Sequence, residues 1–293
     1  MPLTLHRPLP IISQLQQEGL PVRCDPNHRG VLKIGFLNLM PEKEVAERHW
    51  LRLLAQTKFD LELHCLKLKQ WKSKTRQAHL DRYYQDWDAR DDLDALIITG
   101  APLGTRDYDE VSYWQELRHI FDDAILSYAS VMYLCWAANA AFYHHYGIPR
   151  VQRAKKISGL YEHRILRKHP IIEGIPRDIR VPHSRNAEAR QNQMYAHPEL
   201  RVLMDSRRAG AFVTIDPIRK RLFVLGHPEY EADTLHREFQ RDVSRGLSPN
   251  EPEFYYLETD DESEGVEREH PPQADWQAHG VRLLENWLET WVR

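Results

Sequence analysis

In the first half of the chain, short apolar runs alternate with amphipathic stretches, and little else comes between them. Residues 31–39 (VLKIGFLNL), 93–99 (LDALIIT) and 130–134 (SVMYL) are apolar runs of strand length, and 61–68 (LELHCLKL) alternates as a strand does. Between them, 42–57 carries an apolar stripe through Val45, Trp50, Leu51, Leu53 and Leu54, and 80–84, 112–127 and 136–146 read as further helices. Gly147-Ile148-Pro149 stops the last of these, as a helix C-terminal signal should. Strands this apolar must be covered on both faces, so the expected fold is α/β, a mostly parallel sheet with helices on either side. The second half has more turn character. Strands are expected at 201–204, 211–215 and 221–225, with a helix over 232–246 and a closing amphipathic helix over 276–292. One domain is expected over 1–293, with an N-terminal arm to about residue 30 and an acidic surface loop at 258–270 (ETDDESEGVEREH).

Charge and cysteine usage remove several classes of function. Lys and Arg total 40 against 43 Asp and Glu, so there is no overall basic field to attract nucleic acid or anionic lipid. No apolar stretch reaches the roughly 18 residues of a membrane span, and the N-terminus lacks a signal-like apolar run; a cytoplasmic protein is expected. Cys24, Cys65 and Cys135 are odd in number and show no CxxC spacing, which argues against a disulfide framework and against structural zinc. With no HExxH either, neither a metal nor a cofactor is expected.

Two short patterns carry chemistry. Cys135 stands where an apolar strand turns into a helix, which presents its side chain at the carboxyl edge of the sheet and beside a helix N-terminus. That position favours a thiolate and offers backbone N–H groups to an oxyanion. A buried structural cysteine would fit the same position. His227 and Glu229 lie two apart at the end of another strand, where period-two geometry lets both face one side. A base needs a carboxylate to hold its tautomer, and His-x-Glu supplies one compactly. A turn histidine beside an unrelated glutamate is the plainer alternative. The order, a strand-to-helix cysteine and much later a strand-end His-x-Glu, is that of class I glutamine-amidotransferase-like folds.

The resemblance sharpens over nearly the whole chain. Asn38-Leu39-Met40-Pro41, Thr99-Gly100-Ala101-Pro102-Leu103-Gly104, Cys135-Trp136-Ala137, Tyr146-Gly147-Ile148-Pro149, Ser158-Gly159 with Glu162-His163, Pro182-His183-Ser184-Arg185 and Gly226-His227-Pro228-Glu229-Tyr230 occur in order. With Arg241-Asp242 and Asn286-Trp287-Leu288, this set resembles the homoserine O-succinyltransferase family of methionine biosynthesis. The resemblance implies a flavodoxin-like, amidotransferase-type fold. It also implies transfer of an acyl group from succinyl-CoA, as co-substrate, to the hydroxyl of L-homoserine through an acyl-cysteine. Cys135 would then be the nucleophile, His227 the proton acceptor and Glu229 its partner. The oxyanion would rest on the backbone N–H of Trp136 and one from the 100–104 loop. Lys156, Ser184 and Arg241 carry over as substrate contacts.

Glu238 is added on spacing: it lies three residues before Arg241 on an expected helix, so the two could hold the ammonium and carboxylate of an amino acid. An ordinary surface ion pair is the alternative there, and a solvated basic turn is the alternative for Lys156 beside Lys155. Gly104 bears on the donor, because the family carries Gly at this position in succinyl-transferring members and Glu in acetyl-transferring ones. A simple turn role for Gly104 and acetyl-CoA as donor are the competing expectations, and a glutamine amidotransferase-type amide hydrolase is the rival reaction. Glu42 stands where the family commonly has lysine, and Asn139 where it often has Gln. Small-molecule substrates are expected, with no nucleic acid and no membrane as partners and a homodimer left open.

Overall fold

The computed structural model describes residues 3–25, 32–69, 71, 73–90, 92–256 and 271–293. The acidic stretch expected as a loop at 258–270 lies outside the described residues. In chain order the elements are β1 (Leu3–Leu5), α1 (Ile12–Gln17), β2 (Val22–Cys24), β3 (Leu32–Leu37), α2 (Lys43–Ala55), β4 (Leu61–Lys67), α3 (Gln77–Tyr83), β5 (Gln85–Asp86), β6 (Ala95–Ile98) and α4 (Trp114–Ser127). They continue as β7 (Ser130–Leu134), α5 (Trp136–Tyr146), β8 (Arg150–Ile165), β9 (Asp178–Ala189), α6 (Gln191–Ala196), β10 (Arg201–Ser206), β11 (Gly210–Asp216), β12 (Arg221–Val224), α7 (Thr234–Ser244) and α8 (Trp276–Trp287).

The described strands form one sheet ordered β2-β1-β4-β3-β6-β7-β12-β11-β10-β8-β9, with β5 pairing separately on β4. From β2 to β12 every pairing is parallel; from β12 to β9 every pairing is antiparallel. The central order β4-β3-β6-β7-β12 reverses direction at β3/β6, and in such sheets ligands gather outside the carboxyl ends of the strands.

Alternate residues of the central strands feed two separate cores. Ile34, Phe36, Ile97, Met132, Leu134 and Val224 pack under α2 and α8, whereas Leu37, Leu96, Ile98, Val131, Tyr133 and Phe223 pack under α4 and α5. Burial on both faces is why these strands read as uninterrupted apolar runs. β4 extends this rule to polar residues: its alternation is not a wet face, since Glu62 and His64 are buried and lie 3.0 Å apart, Oε1 to Nε2. α5 ends at Gly147 with φ 64°, the left-handed turn its sequence signal requires. α8 docks through buried Leu283, Leu284 and Trp287, and the Trp287 indole N–H donates to Ser130 Oγ at 2.8 Å at the start of β7.

Two features depart from the sequence reading. The N-terminal arm carries two strands the sequence reading did not expect, β1 and β2, which extend the parallel sheet beyond β4. The larger departure is the β8–β9 hairpin, whose strands of 16 and 12 residues match no expected element.

Candidate active site

The turn between β7 and α5 is sharp enough to force Cys135 to φ 45° and ψ −106°, one of three non-glycine residues with positive φ among those described. A residue other than glycine held there costs about 1–3 kcal/mol and persists because its surroundings over-determine it. Cys135 N–H donates to Val224 O at 2.8 Å, and its carbonyl accepts from Asn139 N at 3.1 Å and from Asn139 Nδ2 at 3.0 Å. Asn139 Oδ1 in turn accepts from the N–H of Ala189 at 2.5 Å, which ties the elbow to β9. Gly100 lies against the same turn: a Cβ built on it would sit 3.3 Å from Cys135 Cβ and 3.5 Å from Trp136 N. The end of β6 therefore brings its backbone to the N-terminus of α5, as the oxyanion expectation requires.

His227 and Glu229 follow β12, the strand beside β7, and both are buried. His227 Nδ1–H donates to Glu229 Oε1 at 2.8 Å, leaving Nε2 as the free edge of the ring. That Nε2 is buried with no well-formed hydrogen bond among the described residues. Burial pulls the imidazole pKa down, but the charges of Glu229 and Cys135 outweigh it, and the net position is well above 6.5. Sulfur, imidazole and carboxylate are thus electrostatically one unit. Tyr230, to which the sequence analysis gave no role, stacks on the His227 ring with centroids 4.2 Å apart, and its carbonyl is held by Trp276 Nε1 at 2.8 Å and Gln277 Nε2 at 2.9 Å.

β9 supports this turn from below. Pro182 O accepts the His227 N–H at 2.8 Å. His183 fills the space under Gly226, where an added Cβ would lie 2.9 Å from His183 Nε2, so this position has no room for a side chain. His183 and His163 stack and share an Nε2–Nε2 hydrogen bond of 2.9 Å, while Arg185 donates to His183 Nδ1 and Tyr161 O accepts from His163 Nδ1 at 2.8 Å. One proton per ring satisfies the whole file, and burial moves both pKa values down, His163 to about 3.

The expected substrate residues divide. Glu238, Lys156 and Ser184 come together: Ser184 Oγ donates to Glu238 Oε2, Lys156 Nζ donates to the same oxygen at 3.4 Å, and Tyr230 OH donates to Oε1 at 3.0 Å. Burial pushes the Glu238 carboxyl up, yet Lys156, Ser184, His227 and Arg241 together hold it below its ordinary value. Lys156 also reaches Asp242 Oδ2 at 3.5 Å, so it belongs to this cluster and not to a solvated turn. Arg241 forms no ion pair with Glu238 at contact distance; its guanidinium holds Asp242 Oδ1 at 2.8 and 3.0 Å with its side chain 46% exposed. Gly104 has no positive φ, and a Cβ there would make ordinary contacts of 3.5–3.7 Å with Asn186 and Ala187. Backbone conformation therefore does not require glycine at 104.

Another buried titratable group escaped the sequence reading. Lys43, after β3, donates to Asn38 O and lies over the Trp71 ring at 4.6 Å; burial lowers its pKa to about 7, against the pull of Glu47. Among the described residues two sets of potential metal ligands also occur, His6 with Glu62 and His64, and Asp122 with His144 and His145. The second lies at the opposite end of α5 from Cys135. No described helix is long and apolar enough to cross a membrane.

A parallel sheet whose carboxyl edge presents a strand-to-helix cysteine and a neighbouring His–Glu pair defines the glutamine-amidotransferase-like class. Solved structures agree on that fold. A glutamine amidotransferase from Thermotoga maritima superposes with TM-score 0.57 at 11% identity, covering 90% of this chain and 100% of that one. A glutamine amido transferase from Methylobacillus flagellatus gives 0.58 at 12% identity, covering 89% and 96%. Within the class, the homoserine O-succinyltransferase family matches residues 2–293, and the chain belongs to that family. Among its relatives, a homoserine O-succinyltransferase of Shewanella woodyi is 38% identical over 100% of this chain and 93% of its own length. A homoserine O-acetyltransferase of Bacteroides fragilis is 39% identical over 100% and 96%.

Proposed function

We propose that this acyltransferase moves a succinyl group from succinyl-CoA to the hydroxyl of L-homoserine through a thioester on Cys135. The observation that carries the reading is the electrostatic unit of Cys135, His227 and Glu229 at a strained elbow. In the first half-reaction the Cys135 proton passes to His227 Nε2, and the sulfur attacks the thioester carbonyl. The backbone N–H of Trp136, with one from the 100–104 loop, receives the oxyanion, and coenzyme A leaves with the proton returned by His227. One thioester is exchanged for another, so the step is nearly isoenergetic. In the second, His227 takes the homoserine hydroxyl proton, the oxygen attacks the acyl-cysteine, the C–S bond breaks to release O-succinylhomoserine, and the Cys135 sulfur recovers its proton from His227.

Acylation removes the negative charge that helps raise the His227 pKa, so the imidazole sheds its proton more readily and stands neutral for the step in which it must accept one. The cluster of Glu238, Lys156 and Ser184 suits the ammonium group of the amino acid at Glu238, and the exposed Arg241 suits its carboxylate.

Relatives of nearly equal identity bear succinyl and acetyl names, so overall similarity does not choose the donor. Gly104 favours succinyl, because a Cβ fits there at ordinary contact distance and its backbone does not demand glycine, so the missing side chain leaves room that a longer one would take up. Mass spectrometry of the protein with succinyl-CoA alone is expected to show one succinyl group on Cys135, discharged on adding homoserine. An unmodified cysteine together with full turnover would refute the covalent route. Gly104→Glu should move the preference toward acetyl-CoA by about tenfold or more, since a like charge beside it opposes the succinyl carboxylate; an unchanged donor ratio would remove Gly104 from the assignment.

A further inference from the structure

β9 threads the site. Ser184 donates to Glu238, and five residues on, Ala189 N–H holds Asn139 of the elbow helix. Asn186 lies between them, two residues beyond Ser184 and so on the same face of the strand. The neighbouring strand gives way opposite this position. Gln152 pairs with Ala187 and Ile157 with Arg185, so residues 153–156 bulge out and leave Asn186 unopposed in the ladder. The bulge carries three cations, each already committed to a carboxylate: Arg153 to Glu188, Lys155 to Glu253 and Lys156 to Glu238. Asn186 itself is exposed, and its carboxamide has no hydrogen bond with any described residue. Gly104 opens onto it, since a Cβ built there would lie 3.5 Å from Asn186 Cβ and 3.6 Å from Asn186 N.

We propose that Asn186 is a second acyl-donor specificity residue, whose amide N–H donates to the terminal carboxylate of a dicarboxylic monoacyl group lying in the space left by Gly104. The inference rests on the acyl-transfer reading and deepens it. A neutral amide suits the task, because it binds an anion without needing a counter-charge when the donor pocket is empty, and the paired cations around the bulge keep the local field from turning negative. An acetyl group has no carboxylate to meet it.

The test measures thiol release from succinyl-CoA and acetyl-CoA, with homoserine present, for the wild type, Asn186→Asp and Asn186→Ala. The succinyl-to-acetyl ratio of kcat/KM is expected to fall by about 10- to 100-fold in Asn186→Asp, where a carboxylate faces a carboxylate, and by roughly 3- to 10-fold in Asn186→Ala, where one hydrogen bond is lost. A constant ratio in both variants, whether both donors fall together or neither changes, overturns the inference and leaves the acyl-transfer reading standing. If Asn186→Asp does not fold, judged by its melting curve, the Asn186→Ala ratio decides alone. Failure of the underlying reading looks different: the wild type would then release thiol from neither donor.

Discussion

β7 and the Cys135 elbow are enclosed by helices on both faces, whereas β8 leaves Gln152 to Lys155 in solvent before it becomes buried beyond Ile157. The reacting atoms sit on the enclosed part. Cys135, Trp136, His227 and Glu229 are all at or below 8% exposure and are fixed by bonds from β12, β9 and their own helix. The residues proposed to recognise substrates, Lys156, Ser184, Asn186 and Glu238, are partly or fully exposed and belong to the hairpin and to α7. The contrast separates a dry, over-determined centre, where electrostatics are strong and geometry tight, from a wet margin where a side chain can change without disturbing a core.

The two half-reactions give ways to break that division. The largest effect belongs to the centre: Cys135→Ala should lose on the order of 10^4-fold or more in turnover and all of the donor-only adduct, read by steady-state assay and intact mass. Activity near the normal rate would end the covalent account. Glu229→Gln should cost roughly 10^2- to 10^4-fold in kcat. Its sign in pH is definite: Glu229 holds the proton on His227, so without that charge the limb requiring neutral imidazole should move to lower pH, and a limb that stays put would show that another group sets it. Glu238→Gln tests the margin. It should lower kcat/KM for homoserine by about 10- to 100-fold, the worth of one charge-assisted contact, while rapid-quench formation of the acyl-enzyme keeps its rate. Equal loss in both half-reactions would erase the separation between centre and margin. The smallest effect joins the two regions: Asn139→Ala leaves the buried Ala189 N–H unpaired and should cost about 1–3 kcal/mol by urea unfolding, whereas no change would mean that the elbow does not lean on β9.

What could be read from sequence follows the same boundary. β3, β6, β7 and β12 stand out because burial on both faces makes them continuous apolar runs, and the elbow and the His-x-Glu pair lie at their ends. β8 reads RVQRAKKISGLYEHRI, with an exposed basic stretch, a bulge and a glycine, and none of these leaves a period. Ser184 and Lys156 were therefore reachable through family likeness alone, and their meeting with Glu238 only through the fold. Tyr230 carried a weak signal, an aromatic directly after a histidine-bearing turn. Asn186 carried none, and His163 and His183 stood out only as parts of family motifs with no sign that they meet, since the significance of all three lies in what stands opposite them on other strands. Lys43 was hidden by helix periodicity, which assigns a lysine to the surface while the turn before α2 folds it inward.

The dihedral angles of Cys135 set its reactivity against its stability. A glycine at 135 would relax the turn, so Cys135→Gly is the substitution that the backbone favours and the chemistry forbids. The fold at this position would thus gain by giving up the sulfur, and only the need for a nucleophile keeps a side chain there.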